Sequence, residues 1–116
     1  MGYMEKRFTL YEYSLYDDTP MKRIYISGPV SMFAYSKAKE RFDNAQKRLN
    51  SAGFYVLENP MSFCCRSWDY ERCMRTCINR LIHCDAIYMQ RLWWLSRGAR
   101  LERRNAIAFG MDIIYE

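Results

Sequence analysis

Apolar and polar positions change period several times along the chain, and each change marks an element. KRIYIS at 22–27 is a short β-rich run, cut by Gly28-Pro29, a strong loop signal. Ala34, Ala38, Phe42, Ala45, Leu49 and Ala52 then recur at steps of three and four. That is one apolar stripe, with Lys37, Glu40, Lys47 and Arg48 largely off it, and it predicts a helix closed by Gly53 as a left-handed cap. FYVLE at 54–58 predicts the next strand, stopped by Asn59-Pro60. After a loop through 61–67, Met74, Cys77, Ile78, Leu81 and Ile82 mark the inner face of a second helix. CDAIYM at 84–89 is a third strand and QRLWWLSRG at 90–98 a loop. A third helix over 99–109 is ended by Gly110, and MDIIYE at 111–116 is the last strand.

Strand–helix alternation with short links predicts an α/β fold. The expected architecture is a small Rossmann-like (flavodoxin-like) parallel sheet of four main strands, order 2-1-3-4, with helices on both faces. That order opens a crevice beside the carboxyl ends of the first and third strands. Residues 1–20 read differently. FTLYEYSLY at 8–16 is rich in tyrosine and β-formers and ends in the turn-like DDTP, so the segment is an arm or an added edge strand. Residues 21–116 form the domain proper.

Composition narrows the picture. The chain has 116 residues, half of them hydrophobic, which suits one ordinary domain and argues against disorder. A net charge of +5 suits a nucleotide phosphate or a weak attraction to nucleic acid, but it is no polybasic tail. The arginines cluster at one helix end and form no stripe, so long nucleic acid is not an expected partner. No apolar run is long enough to span a bilayer, and no secretory pattern opens the chain, so a cytoplasmic protein without membrane contact is expected. Five cysteines, Cys64, Cys65, Cys73, Cys77 and Cys84, read as reduced thiols. Cys73 and Cys77 can share a helix face, but the spacing matches no common zinc signature and His83 points elsewhere. Neither a metal nor a cofactor is expected.

The chemistry collects in SRGARLE at 96–102, at the start of the third helix. Unpaired N–H groups and the positive dipole end favour an anion there, and Ser96, Gly98, Arg97 and Arg100 add a hydroxyl, close approach and charge. The same residues read equally well as a capped helix with solvated arginines. Glu102 has three readings: a first-turn carboxylate eased by the dipole, a partner for arginines one turn away, or a nucleophile kept ionised beside a crevice. Trp93, Trp94, Tyr25, Tyr35 and Tyr88 offer flat faces for a base, although core packing suits Tyr88 better. Adjacent tryptophans in a loop point to a pocket or a subunit contact.

IYISGP at 24–29, Asn59-Pro60, CDAIYM at 84–89 and Trp93 followed by SRGARLE together carry a resemblance. From Met21 onward the chain resembles the nucleoside 2-deoxyribosyltransferase superfamily, and within it a branch of short phage and bacterial proteins. The resemblance implies cleavage of the N-glycosidic bond of deoxynucleosides or their monophosphates, with the sugar passed to another base or to water. It implies Glu102 as nucleophile and Tyr25 beside the sugar. It also implies Ser96 at a phosphate with Gly98 beside it, and Gly28 and Pro29 as the first loop; Ser27, Asn59, Trp93 and Arg97, delivered to the same crevice by the sheet order, complete the expected binding set. It implies a nucleoside or nucleotide as partner and a homodimer or larger homo-oligomer, in the host cytoplasm if the chain is phage-encoded. Relatives carry a sugar-holding aspartate where this chain has Cys77, and often an acid where it has Gln90 and Arg91. Cysteine is small, with only a weak donor, and cannot replace that carboxylate. The alternative is therefore a binding protein with little or no turnover, one that sequesters a nucleotide-derived signal.

Overall fold

Strict alternation along one short strand sets up both faces of the sheet. In β2 (Arg23–Ser27), Ile24 and Ile26 face one way and Tyr25 and Ser27 the other, and all four are fully buried. A strand buried on both faces belongs inside a parallel sheet with covered faces. The computed structural model describes residues 6–16, 22–64 and 67–116, so the DDTP turn, Met21 and Cys65 lie outside the described residues. In it, β2 lies between β3 (Tyr55–Glu58) and β4 (Ala86–Met89), and β4 pairs with β5 (Asp112–Tyr115). Every pairing is parallel, and the sheet order is β1-β5-β4-β2-β3, with β1 formed by Lys6–Thr9. The α/β reading and its parallel sheet stand, and the N-terminal segment supplies a fifth strand at the far edge.

Among the described residues, four α-helices cover the sheet. α1 (Leu10–Tyr16) and α2 (Tyr35–Ser51) pack with Ile24, Ile26, Ala86, Tyr88 and Ile114. The buried residues of α2 are Ala38, Phe42, Ala45 and Leu49, while Ala34 and Ala52 flank the helix instead of packing beneath it. Burying Phe42 or Leu49 contributes about 1.5–3 kcal/mol each. Gly53 (φ 92°) and Gly110 (φ 70°) take the left-handed turns expected of them. On the opposite face, α3 (Tyr70–Leu81) and α4 (Arg97–Ala108) pack with Tyr25, Ile87, Met89 and Ile113. Asp69 caps α3, its carboxylate accepting the Arg72 amide at 2.8 Å. Asp85, just before β4, accepts the Arg23 amide at 2.8 Å.

Three expectations need correction. The tyrosine-rich segment is not extended throughout: after four strand residues it turns into α1. The cause is a Thr9–Glu12 pair, in which the Glu12 amide donates to Thr9 Oγ1 and the hydroxyl returns a bond to Glu12 Oε1, both at 3.1 Å. Ile82 follows α3 and lies 45% exposed, because the helix stops at Leu81. Finally, α4 begins at Arg97 and not at residue 99, since Ser96 Oγ accepts the Ala99 amide at 3.2 Å and caps it two residues early. Among the described residues, no helix is long and apolar enough to cross a membrane.

Candidate functional site

The early start of α4 moves Glu102 out of the first turn and into the second. The dipole fades within one turn, so it is not what governs this carboxylate. Burial governs it: Glu102 is 5% exposed, on the inner face of α4 against β2. Its Oε1 accepts from Ser27 Oγ at 2.7 Å, and its Oε2 accepts from the Tyr25 hydroxyl in a short hydrogen bond. Alternation in β2 explains the pair, since Tyr25 and Ser27 share the face that α4 covers. Burial pushes the Glu102 acid up to about 7, and hydrogen bonds from Tyr25, Ser27 and Cys77 offset part of that rise. Of the three readings of Glu102, the helix end is not what would keep it ionised, because the carboxyl lies beyond the first turn and burial opposes its charge. Burial first, and the neighbouring Glu102 charge second, push the Tyr25 phenol well above its ordinary value.

The other residues singled out in the sequence sit elsewhere or are already engaged. Gly28 and Pro29 are buried directly after β2. A Cβ at Gly28 would meet Gln90 Nε2 at 2.5 Å and Gln90 Cβ at 2.9 Å, so glycine is required there for close approach. Asn59 is committed to its own loop and to α2: Oδ1 accepts the Met61 amide at 3.1 Å and Nδ2 donates to Gln46 Oε1 at 2.9 Å. Ser96 is the helix cap, and Gly98 lets α4 approach α3, where an added Cβ would lie 3.1 Å from Met74 Sδ. Arg97 stacks on Tyr70 at 4.4 Å, and Arg100 donates to the Trp94 carbonyl at 2.8 Å. Trp93 packs beside Tyr115 with Arg103 stacked over it at 4.8 Å. The structure therefore gathers Glu102, Tyr25 and Ser27, with Gly28 next in the chain, and gives Asn59, Trp93, Ser96, Arg97 and Gly98 structural partners.

Sequence reasoning missed two features. Gln90, at the carboxyl end of β4, is buried, and its Nε2 finds no partner among the described residues. The second is a group of thiols. Cys64 Sγ lies 2.8 Å from Cys73 Sγ and 3.6 Å from Cys77 Sγ, and Cys77 in turn contacts Tyr25 and Glu102. Cys73 and Cys77 are one turn apart on α3, so their convergence was legible; Cys64 arrives from a separate loop, and only the fold brings it in. Cys64 and Cys73 also line a cleft of about 330 Å³ with Phe33, Tyr35, Met61 and Trp68. This cleft lies over the loops that follow β2 and β3, at the carboxyl edge of the sheet where parallel α/β proteins bind ligands.

The chain is thus a parallel α/β protein with helices on both faces of the sheet and a buried acid held by two hydroxyls. Residues 22–115 match the family described as Domain of unknown function (DUF4406), and the chain belongs to it. Among curated proteins, none matches the chain.

Proposed function

We propose that the chain breaks the N-glycosidic bond of a nucleoside or nucleoside monophosphate, with Glu102 as nucleophile, as a deoxyribosyltransferase or N-glycohydrolase. The observation that carries this reading is the grip on Glu102: two hydroxyls from one strand hold it, and no arginine pairs with it among the contacts described. A carboxylate oriented in this way attacks an anomeric carbon as the base departs with the bonding pair. Its charge stabilises the oxocarbenium-like state in between. A second base or water then takes the sugar. The aromatic cleft, with Phe33, Tyr35 and Trp68, supplies flat apolar faces suited to a nucleobase. The Rossmann-like (flavodoxin-like) description of the sheet and a homo-oligomeric state belong to the same proposal.

A second reading, nucleotide capture without turnover, is favoured by one observation. Glu102 is almost fully covered, and an uncharged thiol, Cys77, touches it where a sugar-holding carboxylate is needed. Incubation of the purified protein with deoxynucleosides and their 5′-monophosphates separates the two, with free base followed by chromatography. Base release is expected, falling about a thousandfold or more in Glu102→Ala. No release from any substrate, with a nucleotide retained in native mass spectrometry, would overturn catalysis in favour of capture.

A further inference from the structure

We propose that Cys64, Cys73 and Cys77 form a binding site for a soft d10 cation, Cu(I) or Zn(II), held by three thiolates. The site borders the proposed substrate crevice, sharing the cleft through Cys64 and Cys73 and meeting Glu102 through Cys77, but cation binding measured without nucleotide stands or falls apart from the glycosidic reading.

The three ligand atoms all lie within 4.8 Å of one another. A cation about 2.3 Å from each of three sulfurs spaces them roughly 3.8–4.0 Å apart, by the geometry of tetrahedral or trigonal coordination. The Cys64–Cys77 separation of 3.6 Å already fits, and the Cys64–Cys73 separation of 2.8 Å needs only a small opening. The scaffold suits such a site: two ligands are fixed one turn apart on α3, and the third follows the Pro60–Ser62 turn on a separate segment. The donor chemistry is selective, because an all-sulfur set favours Cu(I) and Zn(II) over the hard cations that prefer oxygen. Three sulfurs complete a trigonal Cu(I) site, whereas Zn(II) closes its tetrahedron with water.

The surroundings supply two more parts of a metal site. Cys64 and Cys73 line the open cleft, which gives a cation its way in. Cys77, the buried member, lies in the same apolar cluster as Tyr25 and Leu81, which keeps water from one side of the site. Binding releases three protons to solvent, one from each thiol, and forms three metal–sulfur bonds with no change in oxidation state.

The test uses the full chain, reduced and stripped of metal, with no nucleotide present. Cu(I) and Zn(II) are titrated separately against chromophoric chelators of known affinity, and thiol alkylation is counted before and after loading. The expected result is one equivalent of at least one of these cations per chain, with Cys64 and Cys73 newly shielded, Cys77 being buried already. Cys64→Ser and Cys73→Ser should each abolish stoichiometric binding, and Cys84→Ser, outside the cluster, should retain it, with circular dichroism confirming that each variant is folded. Failure of both cations to bind at one equivalent, or unchanged affinity in folded Cys64→Ser and Cys73→Ser, overturns the site. Loaded protein whose thiols alkylate as fast as before overturns it too.

Discussion

At Glu102, two local effects pull in opposite directions, and their balance can be read as stability. Burial disfavours the charged form and wins, leaving the acid near 7, whereas its ordinary value is 4.5. The folded chain therefore keeps this proton over a range in which the unfolded chain has lost it. The resulting stabilisation is complete below the unfolded value, declines as pH rises, and is gone above the folded value of about 7. At about 1.4 kcal/mol per pH unit, the loss is on the order of 3 kcal/mol. In metal-free protein, urea unfolding should show wild-type stability falling by that order between pH 4.5 and 7 relative to Glu102→Gln. Parallel profiles for the two proteins would mean the carboxylate is not held in this environment. Glu102, Tyr25 and Ser27 were all legible as candidates, since each sits where a strand end or helix start delivers it. Their mutual hydrogen bonds were not legible, because they depend on where α4 begins and how closely it lies on β2.

Among the elements, those with a clean period were read well and those ruled by local capping were not. The stripe of α2 and the two-residue alternation of β2 follow from burial alone, which a sequence displays directly. The start of α4 is decided by one hydroxyl. Ser96→Ala should cost about 1 kcal/mol in chemical unfolding, because the Ala99 amide loses its acceptor. Similarly, Thr9-Leu10-Tyr11-Glu12 carries the spacing of a capping box, a signal present in the chain but outvoted by the β-forming tyrosines around it. Gly28 and Gly98 look alike in sequence yet should respond differently to alanine. At Gly98 the added methyl meets the flexible end of Met74, whereas at Gly28 it meets the Cβ of a buried Gln90. Gly28→Ala should therefore lower stability by about 1–3 kcal/mol. Gly98→Ala should be much milder, because helix propensity favours alanine by up to about 1 kcal/mol. Equal losses in the two variants, by urea unfolding, would show that Gln90 can move aside.

Across the whole molecule, the two ends of the described chain are stitched to each other. β1 pairs in parallel with β5, and Lys6 Nζ donates to the Gly110 carbonyl at 3.3 Å. The decisive contact is deeper: Tyr13, fully buried on α1, donates its hydroxyl to Asp112 Oδ2 at 2.8 Å. A tyrosine-rich run gave no hint of this, since nothing in local pattern says which strand ninety-nine positions away will receive it. Because Tyr13 also packs with Phe8 and Phe54, its ring joins the core shared by α2 and β2. The N-terminal segment and the sheet should then unfold together. Tyr13→Phe keeps the ring and removes one hydrogen bond to a carboxylate, at a cost of about 1.5–3 kcal/mol. The single denaturation transition should move as a unit to lower urea, with far-ultraviolet dichroism and tryptophan fluorescence coincident. Two separated transitions, with only the earlier one shifted by Tyr13→Phe, would instead make the N-terminal segment an appendage to a sheet that is stable without it.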